Sequence, residues 1–137
     1  MALLLDTGVI LAAMLRRERR HSWARRLLRD ALSGRYGPPY VTDYIVDEAL
    51  SYLAARRLED AARRLLDAFM HRSLFRIVPV TLDVFTRAAR IYEEHLPRLS
   101  FTDATSLAAA QAYKIDYIAT LDVYLASLYP SLTPPGG

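Results

Sequence analysis

The sequence predicts an α/β fold with a parallel sheet, because short apolar runs alternate with stretches of helical periodicity. Three runs are continuous enough to be strands buried on both faces, over residues 1–5, 75–80 and 115–120. The segments between them are long enough for the crossover helices that parallel strands require. The chain of 137 residues fits one domain, and its 53% hydrophobic content is ample for a single core.

In the N-terminal part, the first strand leads into a helix that Asp6 and Thr7 can cap. The charged run 16–20 is predicted as a loop or an exposed helix end. A second helix is expected over residues 22–33, capped by Ser22.

A short extended segment over residues 38–42 is predicted as a further strand, and Asp43 is predicted to cap the helix that runs to about residue 56. The remaining predicted elements, in order, are a helix over 58–72, the strand 75–80, a helix from Thr81 to about residue 95, an Ala-rich helix over 100–113, the strand 115–120 and a short helix to about residue 128.

Composition excludes several classes of protein. The chain has no Cys, and therefore neither a disulfide framework nor a thiolate metal site. No apolar run reaches the roughly 18–20 residues of a membrane-spanning helix. No basic stretch precedes an apolar segment at the N-terminus, so we expect no secretory signal and a cytoplasmic protein. The net charge of +3 favours a polyanionic partner only weakly.

Four acidic residues stand where a strand or loop gives way to a helix: Asp6, Glu48, Asp103 and Asp122. Asp6 and Asp122 directly follow predicted strands, whose carboxyl ends meet at one edge of a parallel sheet. Carboxylates crowded together repel each other and are stable as anions only with a counter-cation. Hard ions such as Mg²⁺ or Mn²⁺ suit such oxygen ligands and can activate water against a phosphodiester.

Each acid also has a purely structural interpretation. Asp6 and Asp122 could be simple helix N-caps, and Asp103 lies three residues after Ser100, at the spacing of a capping box. Glu48 could be a surface residue of an amphipathic helix. Only the four acids together indicate a metal site.

Two rival motifs begin at Asp6. The sequence Leu5-Asp6-Thr7-Gly8 matches the nucleophile signature of aspartic proteases, but those folds are all-β and most of this chain has helical periodicity. A haloacid-dehalogenase-type phosphatase would need a second Asp where Gly8 stands. The protease alternative also gives no role to the other three acids.

The arginines of the charged run have two interpretations. Pairs of Arg along helices are commonly solvated faces, whereas a functional cluster would contact the phosphates of RNA. The candidates for RNA contact are Arg16, Arg17, Arg19 and Arg20.

Four segments together resemble the PIN domain family, in particular its small VapC-type toxin nucleases. They are LLLDTGVILA, YIVDEAL, LSFTDATSLAAAQAY and YIATLD. No segment is specific alone, but their order and spacing are, and the resemblance spans nearly the whole chain. It assigns catalytic and metal-binding roles to the four acids, and it places supporting hydroxyls at Thr7 and Thr120.

The resemblance implies a three-layer α/β/α fold with a central, mostly parallel sheet of about five strands. The domain would cover residues 1–133, followed by a loose tail over 134–137. The implied activity is that of a Mg²⁺- or Mn²⁺-dependent endoribonuclease. Such an enzyme acts as the toxin of a toxin–antitoxin pair, is often a homodimer, and is inhibited by a small antitoxin that also binds DNA.

Two positions depart from the family pattern. Gly8 stands where Ser or Asn usually follows the Asp-Thr pair, and Tyr124 stands where another acid often follows the last Asp. These departures leave open an alternative: a catalytically weak or inactive PIN-like module that binds RNA or a partner protein. Neither the RNA target nor the metal used in the cell follows from the sequence.

Overall fold

The computed structural model describes residues 1–136 and contains a five-stranded sheet in which all paired strands are parallel. The order across the sheet is β3-β2-β1-β4-β5. The strands are β1 (Leu3–Leu5), β2 (Pro39–Thr42), β3 (Arg76–Val78), β4 (Tyr117–Ala119) and β5 (Ser131–Leu132). The chain therefore builds the sheet outward in both directions from β1, and the switch point lies between β1 and β4. Ligands of open α/β sheets bind beyond the carboxyl ends of the strands at such a point.

Helices connect the strands and cover the sheet. They are α1 (Thr7–Met14), α2 (His21–Leu32), α3 (Asp43–Ala55), α4 (Glu59–Met70), α5 (Leu82–Glu94), α6 (Phe101–Ala112) and α7 (Val123–Ala126). α1 packs against α2 and α3, α3 packs against α4, and α5 packs against α6. The predicted three-layer α/β/α fold with a parallel sheet is confirmed.

The core centres on β1, whose three leucines are completely buried. Since neighbouring side chains of a strand point to opposite faces, the burial of all three requires helices on both faces of the sheet. Ala104, Ala108 and Ala109 of α6 are also fully buried. Their small side chains let α6 pack close to its neighbours, as the Ala-rich sequence predicts.

Helix caps agree with the sequence in part. Ser100 and Thr81 cap α6 and α5 as predicted, each accepting a hydrogen bond from a backbone amide three residues on. The prediction for α3 is wrong: Thr42 is the cap, and its hydroxyl accepts from the Ile45 amide. The Asp43 carboxylate instead accepts from the Val80 amide at 2.9 Å, a contact between distant parts of the chain.

The predicted cap of α2 is also wrong. The helix begins at His21, its N-cap residue is Arg20, and no side chain caps it. His21 contacts the Ala12 carbonyl oxygen through Nδ1 at 2.8 Å, which ties the start of α2 to α1. This tertiary contact fixes the helix start one residue before Ser22.

The last strand, β5, was not among the individual elements predicted from the sequence. It has two residues, Ser131 and Leu132, which pair with Ile118 and Ala119 of β4. So short a strand has no periodicity to detect. Of the predicted tail, Pro134 is buried, Pro135 and Gly136 are exposed, and Gly137 lies outside the described residues. Within residues 1–136, no helix is long and apolar enough to cross a membrane.

Candidate active site

Asp6 lies directly after β1, at the switch point of the sheet, and its side chain is only 6% exposed. It is the N-cap of α1, and its Oδ1 accepts a hydrogen bond from the Thr7 amide at 2.9 Å. Its Oδ2 accepts from the Thr120 hydroxyl at 2.8 Å. The helix start and the neighbouring strand end therefore hold both oxygens of this buried carboxylate.

Asp122 follows β4, the neighbour of β1, and caps the short helix α7. Its Oδ1 accepts from the amides of Tyr124 at 2.8 Å and Leu125 at 3.2 Å. Its own amide donates to the Thr120 hydroxyl at 3.0 Å. Thr120 thus links the two acids, since its hydroxyl donates to Asp6 and accepts from the backbone of Asp122.

Asp103 lies in the first turn of α6, where its amide donates to the Ser100 hydroxyl at 3.0 Å. The pKa of its carboxyl is raised to about 8, first by burial and then by the negative charge of Asp6 and the adjacent Asp122 carboxyl. Asp103 therefore faces the other two acids, in addition to its structural position at a helix start.

The pKa of Asp6 is raised from 3.8 to about 6, chiefly because burial disfavours the charged carboxylate. The hydrogen bonds from Thr120 and Thr7 lower it, whereas the negative charges of Glu48 and Asp122 raise it further. Glu48 projects from α3 and is exposed. The negative charge of Glu48 contributes to the raised pKa of Asp6, so the two side chains are near each other. The fold therefore brings all four predicted acids to one edge of the sheet, with Glu48 on the solvent side.

The chemistry of this donor set suits a hard divalent cation. Its oxygens are carboxylates, and neighbouring negative charges help to raise the pKa of Asp6 and the pKa of Asp103, which a cation would relieve. The buried hydroxyl of Thr7, next to Asp6, has no hydrogen-bond partner. Within residues 1–136, no three His, Asp or Glu side chains stand close enough together to hold a metal as they are. Binding would therefore require the carboxylates to move closer together.

The two departures from the family pattern also lie at this edge. A Cβ added to Gly8 would approach only the Leu121 side chain, at 3.7 Å, which is an ordinary contact. The Tyr124 hydroxyl lies 2.7 Å from Nδ1 of His95, and the Arg98 guanidinium lies 5.6 Å from the centre of the Tyr124 ring. Sequence reasoning gave His95 no role, and no local pattern links it to a residue 29 positions away.

The predicted RNA-contact arginines do not adjoin the carboxylates. Arg16, Arg17 and Arg19 are exposed in the connection between α1 and α2, and Arg20 is half-buried at the start of α2. They lie beyond the end of α1, whose eight residues span about 12 Å from the Asp6 end. Any contact they make with a substrate would be remote from the scissile bond.

Comparison with known proteins identifies the architecture. A family model described as the PIN domain matches residues 3–129. A curated VapC ribonuclease from Archaeoglobus fulgidus is 29% identical over 124 residues, covering 87% of this chain and 76% of the relative.

Solved structures share the fold at low sequence identity. VapC20 from Mycobacterium tuberculosis, described as a toxin that cleaves the sarcin–ricin loop, has a TM-score of 0.80 at 23% identity, over 93% of this chain and 95% of that one. VapBC2 from Rickettsia felis, bound to a DNA fragment of its promoter, has a TM-score of 0.72 at 12% identity, over 98% and 99% of the two chains. With the family model spanning nearly the whole sequence, this chain belongs to the PIN domain family.

Proposed function

We propose that this chain is a Mg²⁺- or Mn²⁺-dependent endoribonuclease that acts as the toxin of a toxin–antitoxin pair. The observation that carries the proposal is the convergence of Asp6, Glu48, Asp103 and Asp122 at the switch point of the sheet. The similarity to a VapC ribonuclease over most of both chains supports RNA as the substrate.

In the proposed reaction, the four acids would hold the cation, and the hydrogen bond from the Thr120 hydroxyl would keep the Asp6 carboxylate in place. A bound divalent ion would lower the pKa of a water molecule and neutralise charge on the phosphoryl and leaving oxygens. Crowded carboxylates would repel the phosphate of a polyanion, so a cation held among them would favour binding of the phosphodiester at the strand ends.

Partners follow from the same comparisons. VapBC2 and a toxin–antitoxin complex from Klebsiella pneumoniae share this fold. We therefore infer a small antitoxin as the partner of this chain, in a cytoplasmic complex. We also infer a homodimer, since Leu82 is 78% exposed and Phe85 is 41% exposed on the same helix. A light-scattering mass equal to the monomer at micromolar concentration would contradict the dimer.

The alternative is a PIN-like module that binds RNA or a partner without cutting. Gly8 and Tyr124 favour it, because each removes an oxygen ligand or ligand-orienting group that the family usually has. This alternative predicts RNA or partner binding with no turnover in any divalent cation.

Cleavage of single-stranded RNA in Mn²⁺ tests the proposal. We expect cutting by the wild type and its loss in Asp6→Asn and Glu48→Gln. Asp47→Asn is the matched control, because Asp47 is an exposed acid next to Glu48 on α3. Equal cleavage by wild type and Asp6→Asn would remove Asp6 from the mechanism. Absence of cleavage by the wild type in Mg²⁺ and in Mn²⁺ would favour the binding module.

A further inference from the structure

A groove of about 690 Å³ lies between the end of α1 and the end of α3, away from the carboxylates. Arg16 and Arg17 line it from the first side, Tyr52 and Arg56 from the second, and Glu18 is the acid among its lining residues. It is termed the basic groove below.

The positive charge of the basic groove is only partly compensated by the protein. Arg16, Arg17 and Arg56 are exposed, and none of them forms a salt bridge within residues 1–136. With Glu18 as the acid, the groove carries a surplus of positive charge that would attract a polyanion.

The adjoining cavity provides a contrast. It has a volume of about 340 Å³ and contains Arg57 and Arg64, but Glu59 and Asp60 also line it. Two arginines therefore face two acids there.

A third cavity, of about 280 Å³, is lined by Arg87 and Arg90 against Asp83. The basic groove is larger and has the greater surplus of arginine, with three arginines against one acid.

Arg56 is held in a defined orientation. Its guanidinium lies 3.6 Å from the centre of the Tyr52 ring, one helical turn before it, in close cation–π contact. The planar guanidinium, supported from beneath by the ring, offers one free face for stacking and its N–H edges for phosphate oxygens. RNA-binding proteins use such planar side chains to stack unpaired bases.

The groove is connected to the carboxylates along one face of α3. Glu48, Tyr52 and Arg56 are spaced four residues apart, so they form a single row on the helix. Eight residues of helix separate Glu48 from Arg56 by about 12 Å. A stacked strand with a rise of about 3.4 Å per nucleotide covers that distance in about three to four nucleotides.

We propose that the basic groove binds the substrate strand of single-stranded RNA about three to four nucleotides from the scissile phosphate. Arg16, Arg17 and Arg56 contact phosphates, and the Arg56–Tyr52 pair supports a base. The proposal rests on the proposed function for the position of the scissile phosphate. The unpaired arginines and the stacked guanidinium favour RNA over a protein as the occupant.

RNA binding tests the proposal without any cleavage. Fluorescence anisotropy is measured in EDTA with a labelled single-stranded RNA of about 15 nucleotides. This length is enough to reach from the carboxylates to the basic groove. All variants are made in an Asp6→Asn background. The variants are Arg16→Ala with Arg17→Ala, Arg56→Ala, Arg56→Lys and Tyr52→Leu. The matched control is Arg87→Ala, which removes one exposed arginine from α5.

Log affinity falls with log salt concentration, and each lost phosphate contact should make that slope less steep by about 0.7. The slope of the double variant Arg16→Ala with Arg17→Ala should therefore be less steep by about 1.4. Arg56→Lys should keep the slope but weaken binding, because lysine keeps the charge and loses the planar stack. Arg87→Ala should leave the slope unchanged. Slopes equal to the control in all groove variants, or no RNA binding by the parent protein, would overturn the proposal.

Cleavage of RNAs of different length tests how far the basic groove lies from the scissile phosphate. For the otherwise wild-type protein, the groove variants should raise KM for long RNAs and leave kcat unchanged. They should have no effect on an RNA that ends within about two nucleotides of the cut, since it would not reach the groove. An equal effect on both lengths would contradict the assigned position.

A protein occupant gives a different result. If the groove variants lose binding of the antitoxin while RNA affinity and its salt slope stay unchanged, the groove is a protein-docking surface and the proposal is wrong. Failure of the proposed function would appear as no cleavage by the unmodified chain. The binding assay in EDTA would still decide whether the groove holds RNA.

Discussion

Replacing Asp6 with Asn removes the charge from a carboxyl that folding buries among other acids. The pKa of Asp6 rises from 3.8 to about 6 on folding. At about 1.4 kcal/mol per unit, ionisation of Asp6 costs the metal-free fold about 3 kcal/mol. The folded protein holds this proton more tightly than the unfolded chain, so stability falls as the pH rises from about 4 to about 6.

Asp6→Asn should not show this part of the pH dependence. Asn keeps one acceptor oxygen for the Thr7 amide or the Thr120 hydroxyl, so the variant also loses about 1–2 kcal/mol that does not depend on pH. The diagnostic quantity is therefore the difference in unfolding free energy between variant and wild type at each pH. We expect this difference to move in favour of the variant by about 2–2.5 kcal/mol between pH 4 and pH 7.

Urea denaturation in EDTA at four pH values, with Asp47→Asn as the control, measures this difference. Adding Mn²⁺ at pH 7 should reverse the ranking, since a ligand at 100 times its Kd stabilises the wild type by about 2.7 kcal/mol. The pKa of Asp103 should fall in Asp6→Asn, because the Asp6 charge is one cause of its rise. A difference that stays constant from pH 4 to pH 7 would refute the reasoning.

Three further substitutions test local features of the site. Thr120→Val removes the hydroxyl that bonds Asp6 and should cost about 1–3 kcal/mol in urea denaturation, with reduced RNA cleavage. Gly8→Ala should stabilise α1 by about 0.5–1 kcal/mol, because the added Cβ has only ordinary contacts; a lower Tm would contradict this. Tyr124→Phe keeps the ring but loses the bond to His95 and should cost about 0.5–1.5 kcal/mol. Unchanged unfolding would show that this bond contributes no stability.

Sequence patterns predicted the elements that flank the acids because those segments are long or strongly apolar. β1 has three completely buried leucines and α6 has a polar cap followed by alanines, so Asp6 and Asp103 stand at recognisable boundaries. Their meeting depends on strand order, which local patterns do not contain. The bond from Thr120 to Asp6 joins residues 114 apart and exists only because β1 and β4 are neighbours.

Tertiary contacts also explain the errors. Asp43 was predicted as a cap because Asp favours that position, but its carboxylate accepts from the Val80 amide and Thr42 caps α3. The edge strand β5 has two residues and is defined by its pairing with β4 alone. The charged run after α1 was predicted correctly to lie outside the core. Its distance from the carboxylates was not predicted, because that distance follows from the length and direction of α1.

A crystal structure with Mn²⁺ tests the central claim, that the four acids Asp6, Glu48, Asp103 and Asp122 form one cation site. We predict an anomalous peak at the carboxyl ends of β1 and β4, with carboxylate oxygens of Asp6 and of at least two of Glu48, Asp103 and Asp122 at about 2.0–2.3 Å. A peak elsewhere, or no peak at this edge at saturating Mn²⁺, would contradict the account.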